Sequence, residues 1–566
     1  MFTDLPRTAN DILDWSWEHV KSYYTELAAR PLDAATIASW LQDWTRIGDL
    51  MSELASRLYV ATTRNTADTE AERRYHAYLT NLYPAIMAAE QNLRQKLLES
   101  GLEPAGLAIP LRTIRAEAAL YCEDNLSLLA EEQRLCNEYN KVVGAQTIEW
   151  KDRELTIQQL QPVYQQADRP TRERAWRLVA QRQQADRAAI NELWGKFMHL
   201  RRQIAANTGL PDYRAYMWQW LGRFDYNPEN CFEFQQAIED IVVPAAQRIY
   251  EKRRQWLGLD RLRPWDVDAQ PPETQPLRPF ADVIELETKA ESMLQRVDPE
   301  LGGYFAIMRR ERLLDLDNRK NKGPGGYCTV FDAEQRPFIF MNAVGVADNV
   351  RTILHEAGHA FQVFEGIHLP YRQQREVPME FSEVASMAME LLASPYLTTD
   401  EGGFYTAEEA ARARINHMEH IILFWPYMAV VDAFQHWVYT NHSAATDPAN
   451  CDAQWEKQWR RFMRGIDWSG LETEMSTGWQ RKQHIHRYPF YYIEYGLAQL
   501  GAIQVWRNAL RDQANAVSNY RKALALGGTV ALPDLYDTAG ARFAFDHQTI
   551  QTAVDLLEET IAELGG

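Results

Sequence analysis

Residues 351–366 read RTILHEAGHAFQVFEG, with two histidines four positions apart and a glutamate directly after the first. Val350, Leu354, Phe361 and Phe364 supply apolar contacts at helical spacing, so a helix is expected from about Asn349 to Glu365, capped by Asp348 and followed by Gly366. One turn, roughly 6 Å of rise, separates His355 from His359, so both imidazoles can reach a single metal ion. Glu356 lies beside the first histidine, offset around the helix, where it can meet a water next to that ion without being a ligand. The pairing makes water nucleophilic near neutral pH and supplies a base for its proton. With 13 histidines in 566 residues, the motif arises by chance on the order of a few times in a hundred such chains, so a third ligand decides its meaning.

The extended form HExxHxxGxxH fails, because Gln362 and Glu365 stand where glycine and histidine are needed. A downstream helix must therefore supply the ligand. VPMEFSEVASMAMELLASP (377–395) has an apolar stripe of Phe381, Val384, Met387 or Ala388, and Leu391, and Glu383 sits amid it. A carboxylate placed there is costly unless a charge or a metal pairs with it. Glu383 is the expected third ligand and Glu380, near the helix start, the alternative; Glu390 is read as part of a solvated face. His368, in the loop after the motif, is read as a surface residue.

WQRKQHIHRYPFYYIEYGLAQLGA (479–502) gathers His484, His486, Tyr488, Tyr491, Tyr492 and Tyr495 around Pro489. Proline in the first turn of a helix would set Tyr492 and Tyr495 on one face. Alone, this would be an aromatic core helix. Beside a metal motif, one histidine and at least one tyrosine are expected to stabilise the oxyanion of peptide hydrolysis. The one clear β signal is GGYCTVF (325–331), a polar turn at 332–335, then RPFIFMN (336–342). Pro337 marks the second strand as an edge, and an unpaired edge can hold an extended peptide by main-chain hydrogen bonds. Phe338, Phe340 and Tyr488 are the expected substrate contacts.

The rest of the chain sets bounds. A composition of 46% hydrophobic and 24% charged residues is that of a globular protein, and the net charge of −18 argues against a nucleic-acid partner. Five cysteines without CxxC spacing indicate neither a disulfide framework nor a cysteine zinc site. No signal peptide is visible, and IILFWPYMAVV (421–431) is too short to span a bilayer, so a buried core helix and a cytoplasmic protein are expected. From about Asn10 to Leu200 the sequence reads as successive amphipathic helices almost without strand-like alternation, and five prolines between Pro264 and Pro279 interrupt the helical pattern. The expected class is mainly α with a small sheet, divided into an N-terminal helical domain (1–205) and a catalytic domain (206–566).

HEAGHAFQ, EFSEVASMAMELL and the 479–502 segment, with the hairpin, LDRLRPWD (259–266) and LGGTVALPDLYDTAGARF, resemble the oligoendopeptidase F branch of the thimet-oligopeptidase-like zinc peptidases over roughly residues 200–566. The resemblance implies a clam-like helical enclosure with a deep channel that admits short oligopeptides and excludes folded proteins. It makes His355, His359 and Glu383 the Zn2+ ligands and Glu356 the general base, and places the oxyanion donors on His484 and on Tyr492 or Tyr495. His486 stands where the family pattern has an aromatic residue. The expected activity is cleavage of internal bonds. The alternatives are removal of C-terminal dipeptides, for which Arg481 and Lys482 form the basic pair near the site, and a silent peptide-binding scaffold. Structural zinc is usually closed by four protein ligands, and only three are found, which favours catalysis.

Overall fold

The helical stripe over 37–64 buries Trp40, Leu41, Trp44, Ile47, Leu50, Met51, Leu54 and Leu58, and the segment forms one 28-residue helix, Ile37–Arg64. In the computed structural model, which describes residues 2, 4–270, 274–319, 321–323 and 325–565, helices of this kind make up about 70% of the chain. The N-terminal helices share a core running from Leu5 to Ile114, while a larger core extends from Val60 to Leu557 and surrounds the histidine motif. Of the proline-rich stretch, Pro264 begins a short 3-10 turn, and Pro271 and Pro272 lie outside the described residues.

The N-terminal half is not free of strands. β1 (Thr147–Trp150) and β2 (Arg153–Thr156) pair antiparallel, joined by Lys151 and Asp152 at φ 50 and 62. A two-residue turn with both residues left-handed matches the twist of a hairpin, and Asp tolerates that conformation. The alternation of Ile148 and Trp150, both buried, was the signal for it.

The second sheet corrects the edge-strand expectation. Its order is β3 (Leu314–Asp317), β5 (Arg336–Ala343), β4 (Tyr327–Phe331), so β5 is the central strand, parallel to β3 and antiparallel to β4. Pro337 precedes the part of β5 that pairs with β3, which begins at Ile339, so its missing N–H breaks no bond on that side. With neighbours on both sides and the motif helix packed against it, β5 is buried from Pro337 to Met341. The edges are β3 and β4, and of the two it is β4 that borders the cavity described below.

The motif helix, Ala347–Gly366, crosses the glutamate helix, Met379–Leu392, at Gly358. A Cβ there would lie 2.4 Å from the Ala385 carbonyl oxygen and 2.6 Å from Ser386 Cα, so only glycine permits this approach. Gly358→Ala is expected to force the helices apart and to cost about 1–3 kcal/mol or more of stability. Chemical denaturation measures it, and an unchanged midpoint would show that the crossing has slack. Ile421–Val431 lies inside a 34-residue helix, Ala407–Thr440, longer than the quoted stretch suggests. That helix is long and apolar enough to cross a membrane, but 78% of its apolar window is buried among the other helices.

Candidate active site

The motif helix starts at Ala347, two residues earlier than expected. Asp348 falls within its first turn, and Asn349 takes the capping role, its side-chain oxygen accepting from the Val344 (2.8 Å) and Val346 (3.2 Å) N–H groups. Gly366 is the last helical residue and not the one beyond it. The helical spacing places the rings of His355 and His359 5.0 Å apart. Their Nε2 atoms lie 3.4 and 3.6 Å from Glu383 Oε2, and the three ligand atoms all fall within 4.8 Å of one another. Ligands bonded to one tetrahedral ion at about 2.0–2.2 Å are themselves roughly 3.3–3.6 Å apart, so this donor set fits a zinc-like ion. Glu380, the alternative, is engaged elsewhere: it accepts from Tyr226 Oη at 2.6 Å and lies 3.9 Å from Arg223.

The solvated-face reading of Glu390 is corrected. One carboxylate oxygen lies 2.7 Å from His355 Nδ1 and the other 2.9 Å from His417 Nε2 on the long helix. Glu390 follows Glu383 by two helical turns and so shares its face, a signal the sequence carried. Ser382 Oγ lies 3.3 Å from His359 Nδ1 and donates to Gln362 at 2.9 Å. Glu383 Oε1 accepts from Tyr491 Oη at 2.7 Å, a contact absent from the sequence-based expectations. Burial disfavours charge on Glu383, but His359 and His355 outweigh it and hold the carboxyl down to about 2. Glu356 is pushed the other way, up to about 7, by burial first, with His355 opposing. It faces β4, where the Cys328 N–H bonds its carboxylate and the bare Gly326 leaves room, a Cβ there falling 3.6 Å from Glu356 Oε1.

The aromatic segment is not one helix begun by Pro489. A short helix, Gln483–Arg487, precedes a turn in which Phe490 adopts φ 65, and the next helix runs Tyr492–Ala509. The Phe490 N–H donates to Gln435 at 2.8 Å and its carbonyl accepts from Arg223 at 2.6 Å, which holds the left-handed residue in place. The turn folds His484 back onto the tyrosines, its ring 4.9 Å from Tyr492 and 5.8 Å from Tyr495. Burial pushes His484 down to about 3, so the ring is neutral at pH 7, and its buried Nδ1 has no partner among the described residues. His486 points away, stacked on Tyr139 at 4.3 Å and fully buried. Lys482 Nζ sits 3.9 Å over the Tyr492 ring, and burial pushes it down to about 7.

His355, Glu356, His359, Glu383, His484, Tyr488, Tyr491, Tyr492 and Tyr495 line one cavity of about 3090 Å3, which Tyr59 and Tyr75 of the N-terminal helices also border. Tyr488 is open to it at 44% exposure. Phe338 and Phe340 do not reach it: buried on the central strand, they pack on Phe331 and Tyr327. A second set of donors, Cys231, Asp432 and His436, is also clustered. There Asp432 accepts from Gln235 at 2.7 Å and Arg214 lies 3.4 Å from His436 Nδ1. Asp432 also lies 3.5 Å from His436 Nε2, and the positive guanidinium beside that ring disfavours a further cation.

Residues 163–554 match the model for peptidase family M3. Oligopeptidase PepF of Bacillus subtilis is 24% identical over 347 residues, 60% of this chain and 49% of its own length. The chromosomal oligoendopeptidase F of Lactococcus lactis is 21% identical over 356 residues, 60% of this chain and 55% of its own. The chain thus spans about half the length of the curated relatives it matches. Among solved structures, PZ peptidase A with an inhibitor superposes with a TM-score of 0.90 at 27% identity, over 100% of this chain and 99% of that one. A crystal structure assigned as an oligoendopeptidase F gives a TM-score of 0.90 at 27% identity over 96% of each chain.

Proposed function

The chain belongs to peptidase family M3, and from that premise we propose that it is a zinc-dependent endopeptidase that hydrolyses internal bonds of short oligopeptides. The observation that carries the reading is the spacing of the His355, His359 and Glu383 donors on the wall of a cavity of about 3090 Å3. A divalent ion held by these side chains would polarise a water and the scissile carbonyl. Glu356, kept beside the site by the Cys328 N–H, takes a proton from that water on its carboxylate and delivers it to the leaving amine nitrogen. His484, with Tyr492 or Tyr495, donates to the developing oxyanion. The free edge of β4 offers main-chain groups to an extended peptide, and Tyr488 contacts it. The cavity volume equals that of roughly a hundred waters, enough for several residues and too small for a folded domain.

Removal of C-terminal dipeptides is less well supported. Of the basic pair named for that activity, Lys482 packs over the Tyr492 and Tyr427 rings and Arg481 lies 3.4 Å from the Glu474 carbonyl oxygen. Metal analysis with mass-spectrometric mapping of cuts in free and amidated peptides tests the assignment. Stoichiometric zinc and internal cuts in both sets are expected; release of terminal dipeptides alone would overturn it.

Glu390 fixes the ring of His355 and is itself held by His417. A carboxylate behind a ligating imidazole orients it and raises its basicity. Glu390→Gln should therefore weaken zinc affinity about 10–100-fold without unfolding the chain, as competition with a chelator would show.

A further inference from the structure

Arg414, on the long helix, borders the same cavity as Arg253, Arg319, Arg351 and Arg375 and differs from these four. Arg253 is paired with Glu419 at 2.9 Å, Arg375 with Asp49 at 2.7 Å, Arg319 with Asp317 at 2.9 Å, and Arg351 with Asp348. Among the described residues Arg414 has no acid, hydrogen-bond acceptor or ring against it, and its Nε is buried without a partner. Burial lowers its pKa from the ordinary value with no acid to offset the effect. In a chain with 78 acidic and 60 basic residues, an unneutralised cation at the cavity wall calls for a ligand to neutralise it.

Its place follows from the helix. Arg414 stands one turn before His417, which reaches His355 through Glu390. Ser394, four residues after Glu390, also borders the cavity, and its buried hydroxyl is likewise unpartnered. Both residues lie on the side of the Glu390–His417 contact that leads toward the connection between the two helices. Both border the cavity and carry donors without a partner among the described residues.

Resting on the peptidase reading, we propose that Arg414, assisted by Ser394, binds a carboxylate of the substrate peptide at a distance from the scissile bond. The carboxylate comes from the peptide's C terminus or from an acidic side chain, and both present the planar oxygen pair that a guanidinium grips with two parallel hydrogen bonds. This makes Arg414 a specificity-determining residue and not a catalytic one. It lets an endopeptidase favour peptides whose acidic group lies at a set distance from the cut, while neutral peptides remain substrates.

The test uses the zinc-loaded full chain and one parent peptide in four forms: free or amidated at the C terminus, each with or without a glutamate scanned along one side of the cut. The wild type should show a KM at least about tenfold lower for one carboxylate-bearing form than for the neutral amide, at similar kcat, and which form wins identifies the source. Arg414→Gln should lose that preference while cleaving the neutral amide at the wild-type kcat with full zinc content. Arg414→Lys should keep part of it, since the charge stays and the fork is lost. A wild type indifferent to all carboxylates, or an Arg414→Gln variant that keeps the preference, overturns the proposal. Failure of the wild type to cleave the neutral amide, or to hold zinc, would instead count against the peptidase reading.

Discussion

Glu356→Gln is expected to bind zinc at the wild-type stoichiometry and to lose about 10²–10⁴-fold in kcat. The amide has the shape of the carboxylate, and the Cys328 N–H that bonds Glu356 can still find an oxygen there. Glu356 is only 6% exposed, so the variant has little freedom to turn away. What it loses is the capacity to accept a proton. Metal content and single-turnover rates measured on the same preparation separate the two effects. Near-normal turnover would mean that another group is the base, and among the described residues no other carboxylate outside the ligand set is paired with His355 except Glu390, which His355 and His417 already occupy.

Replacing Glu383 by Ala should instead remove the metal. Two imidazoles on one helical face hold a divalent ion far more weakly than the full set, and the loss in affinity should exceed the roughly 10–100-fold seen when only an outer partner of a ligand is removed. The substitution also strands the hydroxyl of Tyr491, which donates to Glu383 at 2.7 Å. Dialysis against a chelator followed by metal analysis reads the outcome. If Glu383→Ala keeps stoichiometric zinc and Glu380→Ala loses it, the ligand is Glu380. The structure argues otherwise, because Glu380 already accepts from Tyr226 and lies near Arg223.

The local parts of the site were legible because they obey helical periodicity. His355, His359 and Glu356 share one helix, and Glu383 was conspicuous as an acid in an apolar stripe. The hairpin boundaries followed from turn chemistry, with Phe331 opposite Arg336 across the polar turn. The misses have a common cause in contacts between elements far apart in sequence. The Glu390–His417 link joins two helices, and although Glu390 shares the face of Glu383, nothing in the long helix marks His417 as its partner. The central position of β5 depends on β3, four residues of alternating Leu and Asp too short to announce a partner. With β5 sandwiched, Phe338 and Phe340 became core. Tyr491 reached Glu383 because Phe490 turns left-handed, and a non-glycine residue in that conformation is set by its tertiary hydrogen bonds and not by its type.

The backbone contact at Gly358 also bears on how the protein moves. Helices that meet atom to atom, with no side chain between them, have no intermediate separation to adopt, so the motif and glutamate helices belong to one cooperative unit. Their amides should exchange with solvent together, at the free energy of global opening. The opposite side of the cavity is joined to β4 and the loop before it through separate hydrogen bonds, such as Thr63 Oγ1 to Tyr327 Oη at 2.6 Å and the Gly323 N–H to the Thr63 carbonyl at 2.7 Å. Such contacts break one at a time, so breathing that lets a peptide in is expected to begin at that seam while His355, His359 and Glu383 keep their mutual distances.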